Sequence, residues 1–267
     1  MMRPFLKWLG NKYRCINHLN QHFSPSKRLI EPFAGSAAVF LNTDYPNYLL
    51  GEQNQDLINL YKLVAEEGEL FINYAKKLFT QNNNQEDRYY QLRDKFNKSK
   101  SKRVRSALFL FLNRHGYNGL CRYNSSGGFN VPFGRYVKPY FPEKELFFFH
   151  EKAQQAQFNI DDFQTTMLHA ESGDLIYCDP PYVPLSASAN FTGYTSSPFA
   201  EKEQLLLAQL AEDLANKNIT VIISNHDTAC SRKLYQNATI HSFPVKRTIS
   251  CQVNSRKPVH ELIAIFN

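Results

Sequence analysis

Asp179, Pro180, Pro181 and Tyr182 close the apolar run DLIYC, and side by side they could hold a planar group that carries an amino function. Consecutive prolines fix φ and push the residues before them, Asp179 and Pro180, out of helical conformation, while their carbonyls stay free to accept hydrogen bonds. Asp179 and the Pro180 carbonyl then make a rigid pair of acceptors, with the flat face of Tyr182 beside them. An exposed loop with a buried tyrosine is the plainer alternative. The chemistry that suits such a pair is alkylation of a ring amine such as that of adenine, whose lone pair is delocalised. Accepting both amine hydrogens favours the pyramidal form, with the lone pair turned outward and in line with an electrophilic methyl. Asp179 would stabilise charge developing on nitrogen, and proton loss would follow transfer. A base within a duplex is out of reach, so it must be flipped into the pocket, where Tyr182 would stack on it.

Three other clusters bear on that chemistry. In EPFAGSAAVF (31–40), Gly35 and its small neighbours at a strand-to-helix turn allow backbone to approach a ligand. Glu52 ends the next strand, where an open α/β sheet places an acid on ribose hydroxyls. A glycine with a downstream acid also arises by chance. No GxxxxGK[ST] or GxGxxG is present, which disfavours an NTPase or nicotinamide enzyme and leaves a nucleoside cofactor without a pyrophosphate. FLKWLGNK sets Trp8, the only tryptophan, between Lys7 and Lys12; ordinary packing with snorkelling lysines competes with a site. RHGYNGLCRYNSSGGFNVPFGRYVKPY (114–140) is basic and aromatic at once, with NSSGG between two short extended runs as in a β-hairpin. There Arg122 and Arg135 could read guanine edges, Tyr117 could wedge into a base stack, and Asn118, Asn124 and Asn130 could serve bases or phosphates. A surface hairpin with solvated charges is the alternative.

The elements that must position these residues follow from periodicity. RLIEPF (28–33), a small-residue turn leading into a helix, and NYLLGE (47–52) open an α/β sheet. Helical periodicity fills 56–79 and RSALFLFLNRHG (105–116). From about 145 the α/β texture returns, with DLIYCDPPY as a strand, 201–217 as an amphipathic helix, and ITVIISN (219–225) and HELIAIF (260–266) as strands. The expected organisation is a sheet domain of 1–54 and 145–267, interrupted by a section at 55–144. Charge marks the same section. Of the net +7, residues 88–140 carry twelve Lys or Arg against the single acid Asp94, leaving −4 elsewhere. A concentrated basic patch fits a polyanion or a solvated face. The five cysteines form no metal-ligand spacing and read as reduced thiols, and no metal is expected. No apolar stretch reaches bilayer-spanning length and the amino terminus lacks a long apolar segment, so a cytoplasmic protein off the membrane is expected, and the sequons NKS, NFT, NIT and NAT carry no weight.

These motifs together resemble a known family. DPPY downstream of an FxG turn, with a recognition region between, looks like the alpha-type amino-methyltransferases that use S-adenosylmethionine. FLKWLGNK, EPFAGSAAVFLNTD, NRHGYNGLCRYN, FNVPFGRYVKPYFPE, YCDPPYVPLSASANFT and IISNHDT are similar to the Dam-type DNA adenine methyltransferases of gammaproteobacteria, over nearly the whole chain. The resemblance implies a Rossmann-like methyltransferase fold with an inserted helical and β-hairpin DNA-recognition domain. It also implies methylation of the adenine amino group in GATC of duplex DNA by a monomer associated with the nucleoid. Matched motif by motif, Trp8, Lys12, Glu52 and Asp179 are the implied cofactor contacts, with Phe33 and Gly35 lining the same site. Asp179, Pro180 and Tyr182 are the implied catalytic set. Lys7, Leu120, Arg122, Pro132 and Arg135 match readers of the recognition sequence, Tyr117 and Asn118 the intercalating pair, and Arg93, Asn124 and Asn130 the backbone contacts. The chain departs from the pattern at Ala37, where a second glycine is usual, at Glu52, where Asp is usual, and at His115 and Val137 in place of Tyr and Lys. Two other readings stay open: the same chemistry on another target such as an RNA amine, and a non-catalytic DNA-binding regulator on the same fold.

Overall fold

The computed structural model describes residues 1–182, 199–245 and 259–267. Cys251, the NFT sequon and the segment VPLSASANFT after Tyr182 lie outside them. Seven strands form one mixed sheet: β1 (Arg28–Glu31), β2 (Asn47–Gly51), β3 (Ala156–Asn159), β4 (Asp174–Cys178), β5 (Thr220–His226), β6 (Thr239–Val245) and β7 (Val259–Phe266), in the order β3-β2-β1-β4-β5-β7-β6. β1 to β5 run parallel, and β7 lies antiparallel between β5 and β6. The parallel strands alternate between two buried faces. Leu29, Tyr48, Leu50, Leu175 and Tyr177 enter one core, while Ile30, Leu49, Ile176 and Cys178 enter the other. Strands buried on both faces read as continuous apolar runs, which is why DLIYC and ITVIIS were legible as strands.

The helices are α1 (Ile16–Leu19), α2 (Gln55–Glu67), α3 (Glu69–Lys76), α4 (Glu86–Lys98), α5 (Lys102–His115), α6 (Glu143–Lys152), α7 (Phe163–Leu168), α8 (Glu201–Ala215) and α9 (Ala229–Leu234). α2 to α5 and the segment that follows them are inserted between β2 and β3, and α2 packs on α5 as well as on α6 and β3. Their aromatic residues, among them Tyr61, Phe71, Tyr89, Phe96, Phe109 and Phe111, continue the core of one sheet face.

Three expectations are corrected. No α-helix joins β1 to β2; Ala37, fully buried, takes φ 58 and the chain makes only a short 3-10 turn at Phe40–Asn42. A non-glycine residue in the left-handed region interrupts helical propagation. The helical stretch 56–79 is two helices broken at Gly68. The hairpin closes through the Asn124–Gly128 turn but holds only isolated bridges, Tyr123 to Phe129 and Gly116 to Phe133, because its strands spend their hydrogen bonds on α4 and on side chains.

Candidate active site

The carboxyl ends of β1, β2 and β4 meet where the strand order reverses, the position at which open α/β sheets hold ligands. Each end delivers part of the site. β4 leads into Asp179, β1 into Phe33 and Gly35, and β2 into Glu52. The amino-terminal segment brings Trp8 against Gly35 and Lys12 onto Asp179, while Lys7 turns to the inserted segment.

Lys12 Nζ stands 2.8 Å from Asp179 Oδ1, with side-chain exposures of 6% and 21%. The same ammonium donates to the Gly10 carbonyl at 2.8 Å and sits 4.7 Å over the Tyr182 ring. Burial opposes the Lys12 charge, but Asp179 and Glu261 outweigh it and its pKa is raised. Burial also raises the Asp179 pKa, with Lys12 pulling the other way. Tyr182 is fixed at both ends: its hydroxyl donates to Glu261 Oε2 at 3.1 Å, and the His226 ring meets it edge-on at 4.7 Å. Gln204 Nε2 donates to the Pro181 carbonyl at 2.7 Å, whereas among the described residues no donor reaches the Pro180 carbonyl. The acceptor pair expected from the DPPY tetrapeptide is therefore open at Pro180 and held by an ammonium at Asp179.

Around the first turn, Gly35 takes φ 46, and a Cβ there would come within 3.0 Å of Trp8 Nε1, so the indole packs against bare backbone. The Gly35 amide donates to Glu52 Oε2 at 3.3 Å, the Asn54 amide to Oε1 at 3.1 Å, and the Tyr61 hydroxyl to the Gly35 carbonyl. Glu52 uses its extra methylene to tie the turn to the start of α2, and burial raises its pKa against those amide bonds. Phe33 stacks on Phe163 at 5.5 Å and meets Phe199 edge-on, forming an aromatic wall.

The residues matched to DNA contact lie on the inserted segment, except Lys7, and several have structural partners. Asn113, buried in α5, accepts from the Lys7 amide at 2.9 Å and donates to the Lys7 carbonyl at 2.7 Å and the Gly119 carbonyl at 3.2 Å. Lys7 is thereby fixed beside the Tyr117–Gly119 turn. Its Nζ lies 3.9 Å over the Tyr136 ring, and burial, then Arg114, lowers its pKa to about 8. Tyr117 and Asn118 are exposed, Asn118 at φ 53, and the Tyr117 amide donates to the Pro132 carbonyl. Leu120 is half-buried against the core. Arg122 is braced by Asn130, through Oδ1 at 2.7 Å and the carbonyl at 3.1 Å. Asn124 Oδ1 accepts the Ser126 and Gly128 amides, which makes it the turn former. Arg93 donates to the Val131 carbonyl, and exposed Arg135 pairs with Glu86 at 3.2 Å. Asn130, Asn124 and Arg93 thus shape the hairpin that presents Arg122.

Sequence reading missed Glu31, Gln204, Glu261 and Asn113. Glu31 ends β1, is 3% exposed, has Oε1 without a partner, and burial pushes its pKa up to about 8, with Asp179 adding to the shift. A charged residue at the carboxyl end of an apolar strand was the available signal for Glu31, as it was for Asp179. Gln204, Glu261 and Asn113 sit inside amphipathic patterns and carried none. Among the described residues no cluster of three or more metal-ligating side chains occurs, and no helix is long and apolar enough to cross a membrane.

Comparison with known proteins gives the family. The family model for D12 class N6 adenine-specific DNA methyltransferase matches residues 8–249. The DNA adenine methylase of Escherichia coli K12 is 48% identical over 264 residues, covering 99% of this chain and 95% of that protein. Those of Vibrio cholerae and Serratia marcescens are also 48% identical over 265 residues, covering 99% of this chain and 96% and 98% of theirs. With a family-model match over residues 8–249, from Trp8 through the inserted helices to the strands around Asp179, and relatives 48% identical over nearly the full chain, this chain belongs to the D12 class of N6 adenine-specific DNA methyltransferases.

Proposed function

We propose that the chain transfers a methyl group from S-adenosylmethionine to N6 of adenine within GATC of duplex DNA, the adenine being flipped into the DPPY pocket. The observation that carries this reading is the nitrogen cation already seated on Asp179. Lys12 Nζ occupies the acceptor as a donor nitrogen, beside an open Pro180 carbonyl and over the Tyr182 ring.

The residues around the β1 turn fit the cofactor. Glu31 offers an orphaned buried oxygen to an ammonium, the Trp8 indole packed on Gly35 and the Phe33 wall offer aromatic faces to a flat group, and Glu52 is placed for ribose hydroxyls. When bound, S-adenosylmethionine supplies the methyl as an electrophilic sulfonium substituent. Asp179 and the Pro180 carbonyl accept the two hydrogens of the adenine amine, freeing its lone pair. Asp179 then stabilises positive charge on N6 and receives, or passes to water, the proton lost after transfer. Lys12 yields the Tyr182 face as the base enters, since one site cannot hold both. Residues 55–144 form the recognition domain in this reading, with Lys7, Leu120, Arg122, Pro132 and Arg135 reading the sequence, Tyr117 and Asn118 filling the gap, and Arg93, Asn124 and Asn130 serving the backbone. A monomer acting in the cytoplasm on nucleoid DNA completes it.

Asp179→Ala tests the assignment. Transfer should fall by about a hundredfold to a thousandfold, the scale expected for losing one main electrostatic group, with DNA binding retained. Retained turnover sinks the role given to Asp179.

A further inference from the structure

We propose that Lys100 and Lys102, at the corner between α4 and α5, bind phosphates of duplex DNA flanking the methylated site and so extend the footprint beyond the recognition sequence. The proposal rests on the duplex-DNA reading above.

Residues 97–105, NKSKSKRVR, carry five cations and no acid. Three of the five already have a carboxylate. Lys98 Nζ is 2.7 Å from Asp94, Arg103 is 3.0 Å from Glu67 with its guanidinium 4.7 Å over Tyr74, and Arg105 is 2.8 Å from Asp56. Lys100 and Lys102 are exposed and, among the described residues, pair with none. Fold stability does not account for them, because Lys102 opens α5, the end at which the helix dipole disfavours a cation.

Their place in the fold supplies the partner. Asn97 brackets Phe129 with two bonds, Nδ2 to its carbonyl at 3.1 Å and Oδ1 from its amide at 2.8 Å, which fastens the last turn of α4 to the hairpin. Tyr89 and Arg93, at helical spacing before Asn97, both donate to the Val131 carbonyl. One face of α4 therefore lies along the hairpin, and Lys100 follows directly beyond its end. The cations continue the hairpin's basic surface rather than starting another. At the far end of α5 stands the exposed Tyr117. The 14 residues of α5 span about 20 Å at 1.5 Å per residue. At about 3.4 Å per base pair this is at most roughly six steps of duplex, enough to pass the end of a four-base site from the wedge if α5 runs along the duplex. Two unpaired cations at that distance match the phosphates of flanking duplex.

The test uses the full chain as wild type, as the Lys100→Ala/Lys102→Ala double variant, and as the Lys100→Arg/Lys102→Arg control. Binding is measured on GATC duplexes with about three and about twelve flanking base pairs per side, from about 50 to 200 mM salt. Two phosphate contacts at a slope of about 0.9 each predict a log–log salt slope steeper by about 1.8 for wild type on the long duplex, an affinity change about twelvefold larger across that range. The alanine variant should lose that increment, bind the short duplex like wild type and methylate it at the same saturated rate, while the arginine variant keeps the increment. Equal slopes for wild type and alanine variant on the long duplex, with binding of the short one intact, overturn this proposal alone. Failure of wild type to bind either duplex overturns the duplex-DNA reading and this proposal with it.

Discussion

Replacing Lys12 with Met removes the cation from Asp179 and keeps an unbranched apolar stem in its place. Both groups are largely shielded, and in the wild type Lys12 is the chief influence opposing the upward pull of burial on Asp179. Without it the Asp179 pKa climbs further, because burial and Glu261 both act upward. Stranding a buried charge costs on the order of 3–5 kcal/mol, but protonation sets a ceiling. Bringing an acid of ordinary pKa 3.8 to its neutral form costs about 4.4 kcal/mol at pH 7 and about 1.6 kcal/mol at pH 5, at about 1.4 kcal/mol per pH unit. Between 3.8 and the raised value the folded variant binds a proton that the unfolded chain does not, so its stability rises as pH falls through that window. Because burial already raises the wild-type carboxyl, the wild type bears part of this cost; Lys12→Met should be about 2–3 kcal/mol less stable than wild type at pH 7, and the deficit should shrink to less than about 1.6 kcal/mol at pH 5. Urea denaturation of both proteins at each pH reads this directly. A deficit below about 1 kcal/mol at pH 7, or one that stays constant on acidification, refutes the buried pair as described.

Two further outcomes follow from contacts outside the pocket. Arg105 holds Asp56 through two bonds, at 2.9 and 2.8 Å, and the Tyr123 hydroxyl donates to the same carboxylate; Arg105→Met should cost about 2–4 kcal/mol by leaving that acid short of its cation, read by urea denaturation, and a change under about 1 kcal/mol would count against the network. Gly119 takes φ 63 and a Cβ there would fall 2.3 Å from Lys7 Cβ. Gly119→Ala should cost about 1–2 kcal/mol of strain and displace Lys7, lowering discrimination between GATC and sites changed at one base; kcat/KM across those duplexes measures it, and unchanged ratios would remove Lys7 from sequence reading.

β4 and β5 were legible because burial on both sheet faces leaves unbroken apolar runs, and α5 and α8 because they keep a helical period. β3 is short and only partly buried and α4 is mostly polar, so neither was legible. The loss of a helix after β1 was not, since nothing in AGSAAVF signals that Ala37 takes a left-handed φ. Asp179 and Tyr182 stood out because prolines fix them at a strand end. Glu261 and Asn113 did not, for their importance lies in partners 79 and 106 residues away, and a polar residue inside an amphipathic run carries no trace of such a partner. The hairpin asparagines were legible as polar groups at a basic surface, but not as the braces of Arg122 and of the turn.

The most direct test of the central claim is to incubate the purified protein with S-adenosylmethionine and two duplexes, one carrying GATC and one with those four bases scrambled, and to map methylated nitrogens. N6-methyladenine confined to GATC is the predicted result. Methylation of both duplexes alike, or of neither while the protein still binds the cofactor, contradicts it.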